Sequence, residues 1–160
     1  MSTQINLVQI FEDHARSTLS QHPQLLYRWD TISHGRGRRL TILKRDDSGF
    51  DVVAEAHSYG LYARAGEWMG PAWDACEPHE TAKDLCVQFM DYILSLLSDD
   101  GRLEIDYAGA RPFRWVVVSR LEKPHPTHAL LFNYFAKRTR RVFQNRQLSS
   151  HQASKSQTKL

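Results

Sequence analysis

The sequence holds only two cysteines, Cys76 and Cys86, ten positions apart. Cys86 falls on the inner face of a predicted helix. Ten helical residues span about 15 Å, whereas a disulfide needs Cα atoms within about 7 Å, so no bridge is expected. A disulfide framework is thereby excluded, and two unpaired thiols without a secretory leader fit a reducing cytosol. Long apolar runs are missing too. Stretches such as Val116–Val118 and Ala129–Phe132 fall far short of the ~18–20 residues of a membrane span. There is no phosphate loop of the G-x-x-x-x-G-K-[ST] kind, no G-x-G-x-x-G after a strand and no G-x-S-x-G elbow. Gly35-Arg36-Gly37 lacks both the third glycine and a following helix. Zinc would need four ligands at fixed spacing. Cys76-x-x-His79 and His125-x-x-His128 offer two each, and nothing in the sequence joins them. Neither a metal nor a cofactor is expected.

What is present suits one soluble domain. The 160 residues are 41% apolar and 11% aromatic, and a body of this size buries roughly 68–70% of its unfolded surface without a staple. The net charge of +3 conceals two opposed regions. Residues 136–160 contain Lys137, Arg138, Arg140, Arg141, Arg146, Lys155 and Lys159 and no acid, so the rest of the chain is mildly acidic. The sequence therefore divides into a domain over 1–135 and a basic, flexible tail over 136–160. Such a tail could attract a polyanion. With Arg36, Arg38 and Arg39 it defines one functional alternative, a nucleic-acid-associated accessory protein.

Periodicity supplies the fold class. Ile5, Val8, Phe11, Ala15 and Leu19 mark an amphipathic helix over 3–21, ended by Pro23. Alternation predicts strands around Leu25–Trp29, Leu40–Ile42, Phe50–Ala56 and Tyr59–Ala63, with a hairpin or bulge near 57–60 where the apolar parity changes. Ala82, Leu85, Cys86, Phe89, Ile93, Leu96 and Leu97 outline one face of a long helix over about 79–98, with Thr81 and Asp84 as a capping pair. Further strands are expected at 103–107, 113–117 and 130–134, and the proline-rich 122–126 is expected to be a turn. The expectation is an α+β domain: a largely antiparallel sheet of six to seven strands, with both helices on one face.

The most unusual stretch is 60–74, where Tyr62, Trp68, Met69 and Trp73 lie among three glycines and a proline. Glycine and proline predict a shaped loop. Its tryptophans either plug the core edge or anchor a partner, since Trp and Tyr carry much of the energy of protein interfaces. Glu67, Asp74, Glu77 and Glu80 surround it. An aromatic centre with an acidic rim suits a basic protein surface and repels phosphates. A catalytic thiol at Cys76, just before a helix N-terminus, is the remaining enzymatic candidate.

The string GLYARAGEWMGPAWD, the strand PFRWVVV and the later LLFNYF followed by KRTRR resemble a loose group of small bacterial proteins, some of which are similar to immunity proteins that neutralise a neighbouring toxin. The likeness spans about residues 50–140 and brings no catalytic motif. It implies a binding protein; with the acidic body, the aromatic stretch and the missing catalytic motifs, the expectation is a non-enzymatic cytoplasmic inhibitor that occludes a cognate toxin or enzyme. Tyr62, Glu67, Trp68, Trp73, Asp74 and Glu77 are the expected contact residues.

Overall fold

The computed structural model describes residues 6–32, 35–74, 81–121, 123–124, 126–129 and 136–149. They form two helices and two antiparallel sheets, one of five strands and one of four. The class is α+β, as the periodicity implies, but the strands divide between two sheets rather than forming one.

Helix α1 (Leu7–Ser20) starts where the Asn6 side chain accepts the Gln9 N–H at 3.2 Å. This satisfies one of the amides a helix start leaves unpaired. Helix α2 (Ala82–Leu97) is capped by Thr81, which accepts the Asp84 N–H and donates its hydroxyl to the Asp84 carboxylate. Gly101 follows the C-terminus because a Cβ there would lie 2.5 Å from the Ser95 carbonyl oxygen.

The first sheet is a meander of β1 (Tyr27–Ile32), β2 (Gly37–Ile42), β3 (Val52–His57), β4 (Gly60–Ala65) and β5 (Trp68–Asp74). Val52, Ala54 and Ala56 alternate with half-buried Val53, Glu55 and His57. Small residues on the inner face allow close approach of the helices: α1 and α2 pack on each other, and both contact β3. Phe11 meets Phe89 edge-on at 5.8 Å and Trp29 at 5.9 Å. The hairpin expected near 57–60 is the turn at Ser58-Tyr59.

The second sheet is formed by β6 (Arg102–Ala108), β7 (Arg111–Val118), β8 (Pro126–His128) and β9 (Arg138–Gln144), in the order β8-β7-β6-β9. Leu103, Ile105 and Val117 bring its inner face into the common core. Two expectations are corrected here. Proline at 126 begins a short edge strand instead of excluding one, since edge positions tolerate a missing N–H. The stretch from 138 to 149 is no tail. Strand β9 pairs with β6 along its whole length, and Leu148 beyond it is buried. The strand expected at 130–134 lies outside the described residues. So do the end of the tail and residues 1–5. No described helix is long and apolar enough to cross a membrane.

Candidate protein-binding surface

The unusual 60–74 stretch folds as a β-hairpin. Gly66 takes φ +55° and, with Glu67, turns the chain between β4 and β5, a conformation that costs glycine little. Trp68 is 2% exposed. Its indole folds over Gly70, where a Cβ would stand 2.7 Å from the ring. The anchor role expected for Trp68 is therefore overturned: this tryptophan fills the core. Trp73 also points inward, meeting Phe89 at 4.9 Å and Tyr92 at 5.0 Å, and is half-buried. The register shifts between Tyr62 and Arg64. That bulge places both an even and an odd position of β5 on the same side.

With the indoles turned in, the opposite face of the first sheet carries other groups. Glu55 sits between two strands and accepts from Arg39 Nε at 2.8 Å and Arg64 Nη2 at 3.1 Å through one oxygen. His57 Nε2 stands 3.7 Å from the other oxygen. Two guanidiniums share one carboxylate, so the centre of the face holds one positive charge in excess. Beside it, His57 stacks on Tyr59 at 5.3 Å and meets Tyr62 edge-on at 5.5 Å. Tyr59 is 58% exposed, and Met69, opposite Arg64, is 63% exposed. The outer face thus presents an aromatic cluster at one end, an apolar thioether at the other and an ion-paired centre between them.

Of the expected contact residues, Tyr62 lies half-buried on this outer face. Glu67 is exposed at the hairpin turn and lines a different feature. This is a cleft of about 400 Å³ between the two sheets, walled by Phe50, Leu103, Tyr107 and Phe143. Asp74 is placed only as the last residue of β5, and Glu77 lies outside the described residues. Tyr59 and Met69 were not legible as a site. Tyr59 reads as the first apolar position of a strand over 59–63, whereas it lies in the turn before β4, and the in-out position of Met69 depends on the register of β5.

The competing constellations come apart. Arg38 and Arg39 point to opposite sides of β2, one to Glu12 and Thr31 near α1 and the other to Glu55, so they form no joint phosphate cradle. Arg140 on β9 bridges Glu104 and Asp106, and Arg114 also reaches Asp106. Arg138 and Arg141 lie over the rings of Phe113 and Tyr107. Cys86 is buried, and burial pushes its thiol up to about 12, the reverse of an activated nucleophile. Cys76, His79 and His125 lie outside the described residues. Among the described residues, no group of three or more His, Cys, Asp or Glu side chains could hold a metal ion. No protein-family model matches this chain, and comparison with curated proteins and with solved structures likewise finds no match.

Proposed function

We propose that this chain is a non-enzymatic binding protein. It covers a protein partner with the outer face of its five-stranded sheet, in the manner of the toxin-neutralising immunity proteins its sequence resembles, and works in the cytoplasm. The observation that carries this reading is the exposure of Tyr59 and Met69, 58% and 63%, on a face whose charged neighbours are already paired with one another. Exposed apolar side chains gain from burial against a partner. The excess guanidinium charge around Glu55 favours a neutral or acidic contact there. The acidic rim first expected to steer a basic partner retains only Glu67 among the described side chains.

The test is calorimetric titration of the protein against the product of its neighbouring gene. Tyr59→Ala and Met69→Ala each weaken binding roughly tenfold or more if these are anchors, whereas Glu67→Gln acts mainly through the association rate. Unchanged affinity in both anchor variants refutes the surface assignment. Binding of duplex DNA with a steep salt dependence, lost on neutralising Arg138 and Arg141, would support the accessory-protein alternative instead.

A further inference from the structure

Among the described residues the two sheets have four edges, and each edge strand leaves a row of amides and carbonyls unpaired unless something blocks it. Three of the four carry a device against pairing. Strand β5 contains Gly70 and Pro71 and a register shift against β4. Strand β8 is three residues long and begins with Pro126. Strand β9 has Arg138, Arg140 and Arg141 along its length. Strand β1, with the sequence YRWDTI, has no proline, glycine or bulge, and its two charges, Arg28 and Asp30, are of opposite sign, so unlike the arginines of β9 they can pair with those of a second copy. It is rich in the aromatic and β-branched residues that favour strands.

The open groups of β1 can be assigned. The Leu43 N–H donates to the Leu26 carbonyl at 2.8 Å, which makes Leu26 and Leu43 a hydrogen-bonded pair. Antiparallel pairs alternate, so Arg28 and Asp30 direct their backbone groups to β2, whereas Tyr27, Trp29 and Thr31 direct theirs away from the sheet. We infer that this edge pairs antiparallel with the same edge of a second copy, on a two-fold axis through Trp29. In that register Tyr27 faces the second copy's Thr31, and Trp29 faces its own equivalent. Every outward amide and carbonyl of the strand then finds a partner.

Charge selects this register over its neighbours. With the axis at Trp29, Arg28 of each copy stands opposite Asp30 of the other. These are non-hydrogen-bonded positions, where side chains lie closest. An axis at Arg28 sets arginine against arginine, and one at Asp30 sets aspartate against aspartate. Directly opposed like charges are destabilising. Within one chain Arg28 and Asp30 are 3.6 Å apart and largely exposed, a pair of little worth alone and available for exchange. The same axis places Leu26, 67% exposed, opposite Ile32. The contact is isologous and closed, as a two-fold dimer requires. It is independent of the surface formed by Tyr59 and Met69.

Sedimentation equilibrium tests the inference. The wild-type chain is expected at twice its 18.5 kDa mass. Arg28→Glu and Asp30→Arg each weaken self-association by about tenfold or more, because each converts two attractive pairs into repulsive ones. Mixing the two variants restores a dimer, since each then opposes the charge it needs. Circular dichroism of the separate variants shows whether both are folded, and recovery in the mixture shows it independently. A monomeric wild type, a dimer indifferent to both substitutions, or folded variants that fail to associate when mixed would each overturn the proposal.

Discussion

The side-chain oxygen of Asn145 accepts the backbone N–H of Phe50 at 3.0 Å, joining positions 95 residues apart. The same side chain donates to the Leu96 carbonyl at 3.2 Å. One buried amide thus ties the loop before β3 to the end of α2, from a segment whose composition reads as a solvated tail. Gly49 leaves room for it, since a Cβ there would lie 2.6 Å from the Asn145 oxygen. Neighbouring contacts reinforce the joint: the Gln144 N–H donates to Ser48, and the Gln147 and Leu148 N–H groups donate to Leu97.

Asn145→Ala is therefore expected to cost about 3 kcal/mol in urea unfolding, because it strands a buried donor and a buried acceptor. Truncation after residue 135 removes β9 as well and is expected to abolish cooperative unfolding. A truncated chain with an unchanged unfolding midpoint would contradict the role assigned to this segment.

Trp68→Ala is expected to cost about 3–5 kcal/mol, the usual range for emptying a buried aromatic site. Gly70→Ala should also destabilise, because its methyl would meet both the indole and the Ala63 carbonyl oxygen. Neither substitution touches the outer face. Chemical denaturation should therefore respond strongly, while the affinity of the folded fraction for a partner should not.

These positions also show how far the sequence is legible. Helix α2 is readable because Leu85, Phe89, Ile93 and Leu96 repeat at a spacing that only a helix turns to one side. Strand β3 is readable because Val52, Ala54 and Ala56 alternate. Strand β5 is hidden by its own packing: Gly70 looks like a loop residue, yet it makes room for the ring of Trp68. Strand β9 is hidden by its charge. Its outward pattern is complementary to Glu104 and Asp106 on β6 rather than hydrophobic, and one strand read alone does not reveal its partner. The candidate surface follows from the same gap. Once the bulge in β5 turns both indoles inward, the exposed groups are Tyr59 and Met69.

Stability should fall with acidification in two stages. Burial lowers the imidazoles of His22 and His14 below their ordinary 6.5, with Asp91 partly offsetting the effect at His14. The folded state holds them neutral, so their contribution is complete above 6.5 and is lost as pH falls toward the lowered folded values. Arg140, then Arg114, hold Asp106 below its ordinary 3.8, and Arg16, then Arg38, hold Glu12 below 4.5. Those contributions are present above the ordinary values and vanish as pH drops through the lower folded ones. Urea midpoints measured from pH 8 to pH 3 should show both declines. Asp106→Asn should shrink the lower stage to the share of Glu12 and leave the upper one intact.

Cys86 should resist thiol reagents in the native state, since its burial disfavours the reactive thiolate. In a Cys76→Ser background, labelling at neutral pH should require opening of the fold and accelerate in urea along with global unfolding. Immediate labelling of the folded protein would contradict the packing described around α2.

The central claim, that the chain works by covering a protein with the outer face of its first sheet, is tested most directly by hydrogen exchange on the free and partner-bound protein. The account predicts new protection concentrated in β3, β4 and the Trp68–Gly70 stretch of β5. Protection confined to Arg138–Gln144, or none on the five-stranded sheet, would contradict it.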